Sequence, residues 1–151
     1  MKAIAGLLAW ALSAFIAYIF IYYLQFKFTG HPGSVELFTT ITDWLGLHGH
    51  EKFMRIGTRS AELVASILLF IPRTQVLGAA MALALMTGAI FFHVFSPLGI
   101  DPYGDGAVLF KQACGVWLSS LIILGIRRRE GIALVQRYLP FVPIPAHLRT
   151  P

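Results

Sequence analysis

Charge is what this chain has least of. Only 13% of its 151 residues are Asp, Glu, Lys or Arg, against 57% that are hydrophobic, whereas soluble globular domains carry about 25% and about 45 to 50%. A mean hydropathy of +0.73 agrees, and both point to the bilayer as solvent. Cysteine is nearly absent too. Cys114 stands alone, which excludes an intramolecular disulfide and the dithiol exchange of membrane thiol oxidoreductases, so any redox role borrows its electron carrier. No convincing small-x-small cleavage site ends the apolar run that begins at Ala3. That run exceeds the roughly 7 to 15 residues of a signal-peptide core and is expected to remain as a first span. The formal net charge of +5 is read as basic residues at cytoplasmic helix ends, and no nucleic-acid partner is expected.

What the chain does have is four apolar blocks, each close to the roughly 20 residues that cross a hydrocarbon core. They nearly exhaust the length, leaving no room for a soluble catalytic domain. The expected fold is all-α, a polytopic membrane four-helix bundle over residues 1–130, with spans at about 4–26, 53–71, 76–95 and 107–126. Trp10 and the cluster Tyr18, Tyr22 and Tyr23 mark the two interfaces of span one. After it, His31-Pro32-Gly33 breaks the chain, and Ser34 is placed to cap a short interfacial helix over residues 35–45, stopped by Gly46. Its apolar face is Val35, Phe38, Ile41 and Leu45. Pro72-Arg73-Thr74-Gln75 reads as a tight turn, and Gly78, Ala79, Ala82 and Gly88 in span three permit close helix contact.

Residues 96–106 read as an irregular loop, and Arg127-Arg128-Arg129 ends span four. Lys2, Arg73, Arg127, Arg128, Arg129, Arg137 and Arg149 fall on one side, against Lys27 and Lys52 on the other. This excess places both termini in the cytoplasm and the chain in the cell's inner membrane. Residues 131–151 form a cytoplasmic tail whose first part, with Leu134, Val135, Tyr138 and Leu139 beside Arg137, is suited to the membrane surface.

The chemistry-bearing residues gather at one level of this topology. Lys27 ends span one, Arg55, Arg59 and Glu62 occupy the outer half of span two, His93 is near the end of span three, and Lys111 near the start of span four. Arg55, Arg59 and Glu62 share a helical face, and Glu62 lies about 14 Å along the axis from Phe53 at about 1.5 Å per residue. Charges at that depth cost about 2.5 to 3.5 kcal/mol each unless they turn inward and pair. Two readings follow. In one, Glu62 pairs with Arg59 or Lys111 and the charges only bind helices together, with Arg55 snorkelling to the interface. In the other, Lys27, Arg59, Glu62, His93 and Lys111 form a ligand-binding pocket open to the outer side. Its cations would hold the oxygens of a quinone or a small anionic ligand, and Glu62 or the His93 imidazole would relay protons.

Gln112, Thr87 and Cys114 read as packing groups, and Asp101 and Asp105 as turn formers. His48-Gly49-His50, with His31 and His93 as further candidates, offers imidazoles without ligand spacing, so no metal site is expected. A transporter needs a continuous polar path. Residues 63–71 and 118–126 supply only Ser66, Ser119 and Ser120.

The arrangement resembles the DoxX-like family of small four-helix membrane proteins. The resemblance rests on Phe26-Lys27-Phe28-Thr29-Gly30, on Arg55-Ile56-Gly57 leading to Glu62-Leu63-Val64-Ala65-Ser66-Ile67-Leu68-Leu69, on Gly88-Ala89-Ile90-Phe91-Phe92-His93, and on Asp105-Gly106 with Leu109-Phe110. It implies membrane subunits associated with thiosulfate:quinone oxidoreductases, or partners in oxidative-stress and sulfur-handling assemblies. The expectation is therefore a redox-associated subunit that binds a quinone or similar molecule and joins other membrane or redox subunits. The alternative is a noncatalytic assembly, cargo or lipid-interacting protein.

Overall fold

A computed structural model describes residues 2–28 and 30–138, with the backbone alone at Lys2, at 25–28 and at Tyr138. Among the described residues the protein is all-α, with six helices. They are α1 (Lys2–Phe28), α2 (Pro32–Trp44), α3 (Glu51–Leu69), α4 (Gln75–Phe95), α5 (Val108–Ile126) and α6 (Arg128–Tyr138). Three helical segments are long and apolar enough to cross a membrane: Ala3–Leu24, Gln75–Phe95 and Val108–Ile126. The α3 helix has the length but not the composition, because Glu51, Lys52, Arg55, Arg59 and Glu62 interrupt its first half.

Each long helix buries one stripe at alternating steps of three and four, the spacing that keeps side chains on one face. On α1 the stripe is Ala9, Ser13, Ile16 and Phe20; on α4 it is Gln75, Ala79, Ala82 and Met86; on α5 it is Ala113, Val116, Ser120 and Ile123. These stripes meet in a ring, with α1 and α4 each packed on both α3 and α5. The α3–α4 seam is the tightest. A Cβ on Gly78 would lie 2.7 Å from the Leu69 nitrogen and 2.9 Å from the Ala65 oxygen, so only glycine admits this approach. At Gly88 the same atom would meet nothing within 4 Å. Gly78, Ala79 and Ala82 therefore serve packing as the sequence implies, and Gly88 does not.

Three details differ from the sequence reading. Ser34 does not cap α2: the helix begins at Pro32, whose fixed φ and missing N–H suit the first helical position, and Ser34 is buried inside it. Its inward face is Ser34, Phe38, Ile41 and Thr42, while Leu45 lies past the helix end and is exposed, beside Gly46 at φ +72°. Gln75 opens α4 instead of closing the turn, fully buried and donating from Nε2 to Ser13 Oγ at 2.9 Å. The arginine run does not end helical structure. It breaks the helix at Arg127, where Nη1 meets Glu130 Oε1 at 2.7 Å, and α6 starts at Arg128 and rests on α4 and α5. The proline-rich part of the tail lies outside the described residues.

Candidate functional site

The end of the ring where α1 finishes, α3 begins, α4 finishes and α5 begins is closed differently from the other end. The α2 helix packs across α3 there, and the loop between α4 and α5 folds toward it. Tyr103 joins the two covers by donating its hydroxyl to the Gly33 carbonyl at 2.8 Å. Trp44 of α2 meets Phe91 and Phe92 of α4, each at 6.2 Å between ring centroids. Partial burial, with the carboxylates of Glu36 and Asp105 nearby, pushes the Tyr103 phenol above its ordinary value, so the hydroxyl stays a donor at physiological pH.

The loop is organised around one carboxylate. Asp101 accepts the backbone N–H of Asp105 at 3.0 Å and of Gly106 at 3.1 Å, and a further backbone bond from Ala107 holds its carboxyl below the usual aspartate range. Successive N–H groups converging on one anion form a nest, which needs left-handed backbone. Gly104, Gly106 and Ala107 supply it, Ala107 at φ +62° without glycine's freedom. Asp105 Oδ1 then accepts the Val108 N–H at 3.1 Å and starts α5. The turn-forming reading of both aspartates describes these contacts.

Beneath the covers lies a cavity of about 970 Å³, at the upper end of the size of small-molecule sites. Its wall is mostly apolar, from Ile19 and Phe20 of α1, Leu37 and Phe38 of α2, Met81, Leu85 and Phe92 of α4, and Leu109 of α5. Set into it are the polar side chains of Glu62, His93, Gln112, Tyr23, Ser34 and Thr58. The His93 ring is held on both sides of its role: Nδ1 lies 2.7 Å from the Gly99 carbonyl, and Phe110 packs edge-on at 5.8 Å. Gln112 Oε1 is buried without a hydrogen-bond partner. Ser34 Oγ is likewise buried without one.

Of the residues expected to form the pocket, the structure brings Glu62 and His93 to this wall. Arg59 is 0% exposed, does not line the cavity, and donates Nη1 to the Tyr23 carbonyl at 3.2 Å. Its Nε and Nη2 are buried without hydrogen-bond partners. Lys111 is exposed and does not reach the cavity. The wall takes Val108, Leu109, Gln112 and Ala113 from α5, and position 111 is rotated off that face by about 100° per residue. The side chain of Lys27 lies outside the described residues. Arg55 is buried and its Nε donates to Glu51, one turn earlier.

The sequence marks Gln112 as a packing group and Tyr23 as an interface ring, whereas the structure places both on the cavity wall; an amide at 112, beside Lys111 in a mostly apolar helix, is the signal that points there. His48 Nδ1 lies 2.9 Å from Asp43 Oδ1 and His50 Nδ1 3.1 Å from the His48 carbonyl, so these rings serve local turns. Among the described residues no three metal-ligating side chains come together. Comparisons with family models, with curated proteins and with solved structures found no match.

Proposed function

We propose that this chain is an integral membrane protein of four spans, α3 being the fourth, that holds a quinone or a similar lipid-soluble molecule in the cavity as part of a redox-associated assembly. The case for the fourth span is an inverted helix. On α3 the buried stripe is Arg55, Arg59, Glu62, Ser66 and Leu69, largely polar, while Phe53, Ile56, Leu63, Val64 and Ile67 are exposed. Water selects the opposite arrangement, whereas a bilayer rewards charges turned inward and hydrocarbon turned out. The other long helices also expose large apolar side chains, Leu7 at 73% and Phe95 at 66% among them.

The basic residues support an inner-membrane orientation with both termini cytoplasmic. Trp10 stacks on Phe70 and Gly131 approaches Val76, so the start of α1, the Arg73 turn and the arginines around α6 share one end. The cavity, at the other end, then opens in the outer half. Resemblance to the DoxX-like family agrees with a redox association.

The observation that carries the ligand reading is the cavity itself: apolar over most of its wall, with Glu62, His93 and Gln112 converging on it. Small molecules extracted from gently purified protein test it by mass spectrometry. A quinone-type molecule should be enriched with the wild type and reduced at least about tenfold in Gly88→Leu, which builds into open space and fills the site. No enrichment in the wild type sinks the reading. A second reading, a noncatalytic assembly protein, draws on the outward Lys111 and the local Arg55–Glu51 pair, charges that serve the helices without facing the cavity.

A further inference from the structure

A cavity that reads a carbonyl ligand must present hydrogen-bond donors; one that reads a hydroxyl must present acceptors. Of the cations expected to supply donors, Arg59 and Lys111 are absent from the cavity lining, and the side chain of Lys27 lies outside the described residues. The hydroxyls of Tyr22, Tyr23, Ser34 and Thr58 and the imidazole of His31 also line the cavity, and each can donate or accept and so favours neither form; the groups that discriminate are those of fixed role. A backbone carbonyl has no hydrogen to give, so the 2.7 Å contact between His93 Nδ1 and the Gly99 oxygen fixes the hydrogen on Nδ1. In the neutral ring Nε2 is then a bare lone pair. Gln112 leaves Oε1, an acceptor, buried and without a partner. Glu62 contributes carboxyl oxygens, and the Tyr103 hydroxyl is used on Gly33.

We infer that the cavity selects an apolar molecule presenting hydroxyl hydrogens, the hydroquinone form of a quinone-type ring in preference to the dione, with His93 Nε2 and Gln112 Oε1 as the selecting acceptors. This deepens the proposed ligand reading and rests on it. A buried acceptor left unmatched by a dione carries a desolvation cost and repels the carbonyl lone pairs. A hydroxyl in its place completes both groups. Each is a specificity-determining residue by this argument; no electron or proton transfer is required of either.

The test measures equilibrium binding of three probes to the full chain in lipid nanodiscs kept anaerobic: a decyl-substituted hydroquinone, its dimethyl ether and the corresponding benzoquinone. The wild type should bind the hydroquinone about tenfold or more tightly than either other probe. His93→Asn keeps an amide N–H where Nδ1 donates to Gly99 but removes the Nε2 acceptor, so it should elute as the wild type does and lose most of that preference. Gln112→Leu should reduce it independently. Equal binding of the ether or the benzoquinone overturns the inference and leaves the cavity reading intact. Preference retained in folded His93→Asn overturns the assignment to His93. Failure of all three probes to bind the wild type overturns the reading beneath it.

Discussion

Individual residues in this protein are often placed by where their hydrogen-bonding groups must go. Asp101 is the clearest case, since its carboxylate gathers three successive N–H groups and thereby sets the backbone that leads into α5. Its carboxyl is held below the ordinary aspartate value of 3.8, so its contribution is fully present above that value and is lost as pH falls through the lowered one. Asp101→Asn should lower the melting temperature at neutral pH, and the gap to the wild type should close on acidification into that range. A gap independent of pH would count against the nest. The sequence shows Asp101 and Asp105 as turn residues because aspartate among glycines is a local signal. It could not show that Lys111 faces outward, because that depends on the rotation of α5 against neighbours distant in the chain. The Arg55–Glu51 pair is by contrast local, four residues apart within α3, a spacing the sequence does contain.

At the scale of the helix, the same residue type serves opposite ends. Gly78→Ala forces a methyl into the α3 backbone and should cost about 1 to 3 kcal/mol, as overpacked cores do. Gly88→Ala meets open space and removes glycine's entropic penalty, so it should stabilise α4 by about 0.5 to 1 kcal/mol. Thermal unfolding of the two variants in one detergent separates them; equal effects would mean that the α3–α4 seam is not the close contact described. Helix positions were readable because apolar blocks and Gly or Pro punctuation are local. The start of α2 was misread by three residues because Ser34 looks like a cap, while Pro32 is the stronger signal for a first turn. A polar pocket with Glu62 and His93 is legible in the sequence, but the mostly apolar wall of the cavity is not. Glycine and small apolar residues look alike in sequence whether they admit a neighbour or leave a void.

For the whole molecule, the inverted α3 is the decisive feature, and it makes the choice of solvent testable. Val64 is 45% exposed on the apolar face of α3, toward the middle of the helix. On a water-facing surface Val64→Lys would change stability by no more than about 0.5 kcal/mol. Facing lipid near the middle of a span, it should cost about 2.5 to 3.5 kcal/mol and reduce the membrane-inserted fraction accordingly. Membrane fractionation of the variant, with Phe53→Lys at the helix start as a milder control, distinguishes the two. The overall class was evident from composition alone, because a chain this poor in charge has few alternatives. The identity of whatever fills the cavity was not, since ligand chemistry depends on which atoms face inward.

The Arg59–Tyr23 contact also bears on the order in which the chain is made. A helix carrying Arg55, Arg59 and Glu62 is poorly suited to enter a bilayer by itself, and Arg59 finds the Tyr23 carbonyl only at the end of α1. On the reading that α3 crosses the bilayer, it would enter against an α1 already in place, with the α3–α4 hairpin closed by Gly78 as a unit. The charges that look least compatible with lipid would then set an order of insertion, the second element depending on the first and on its successor.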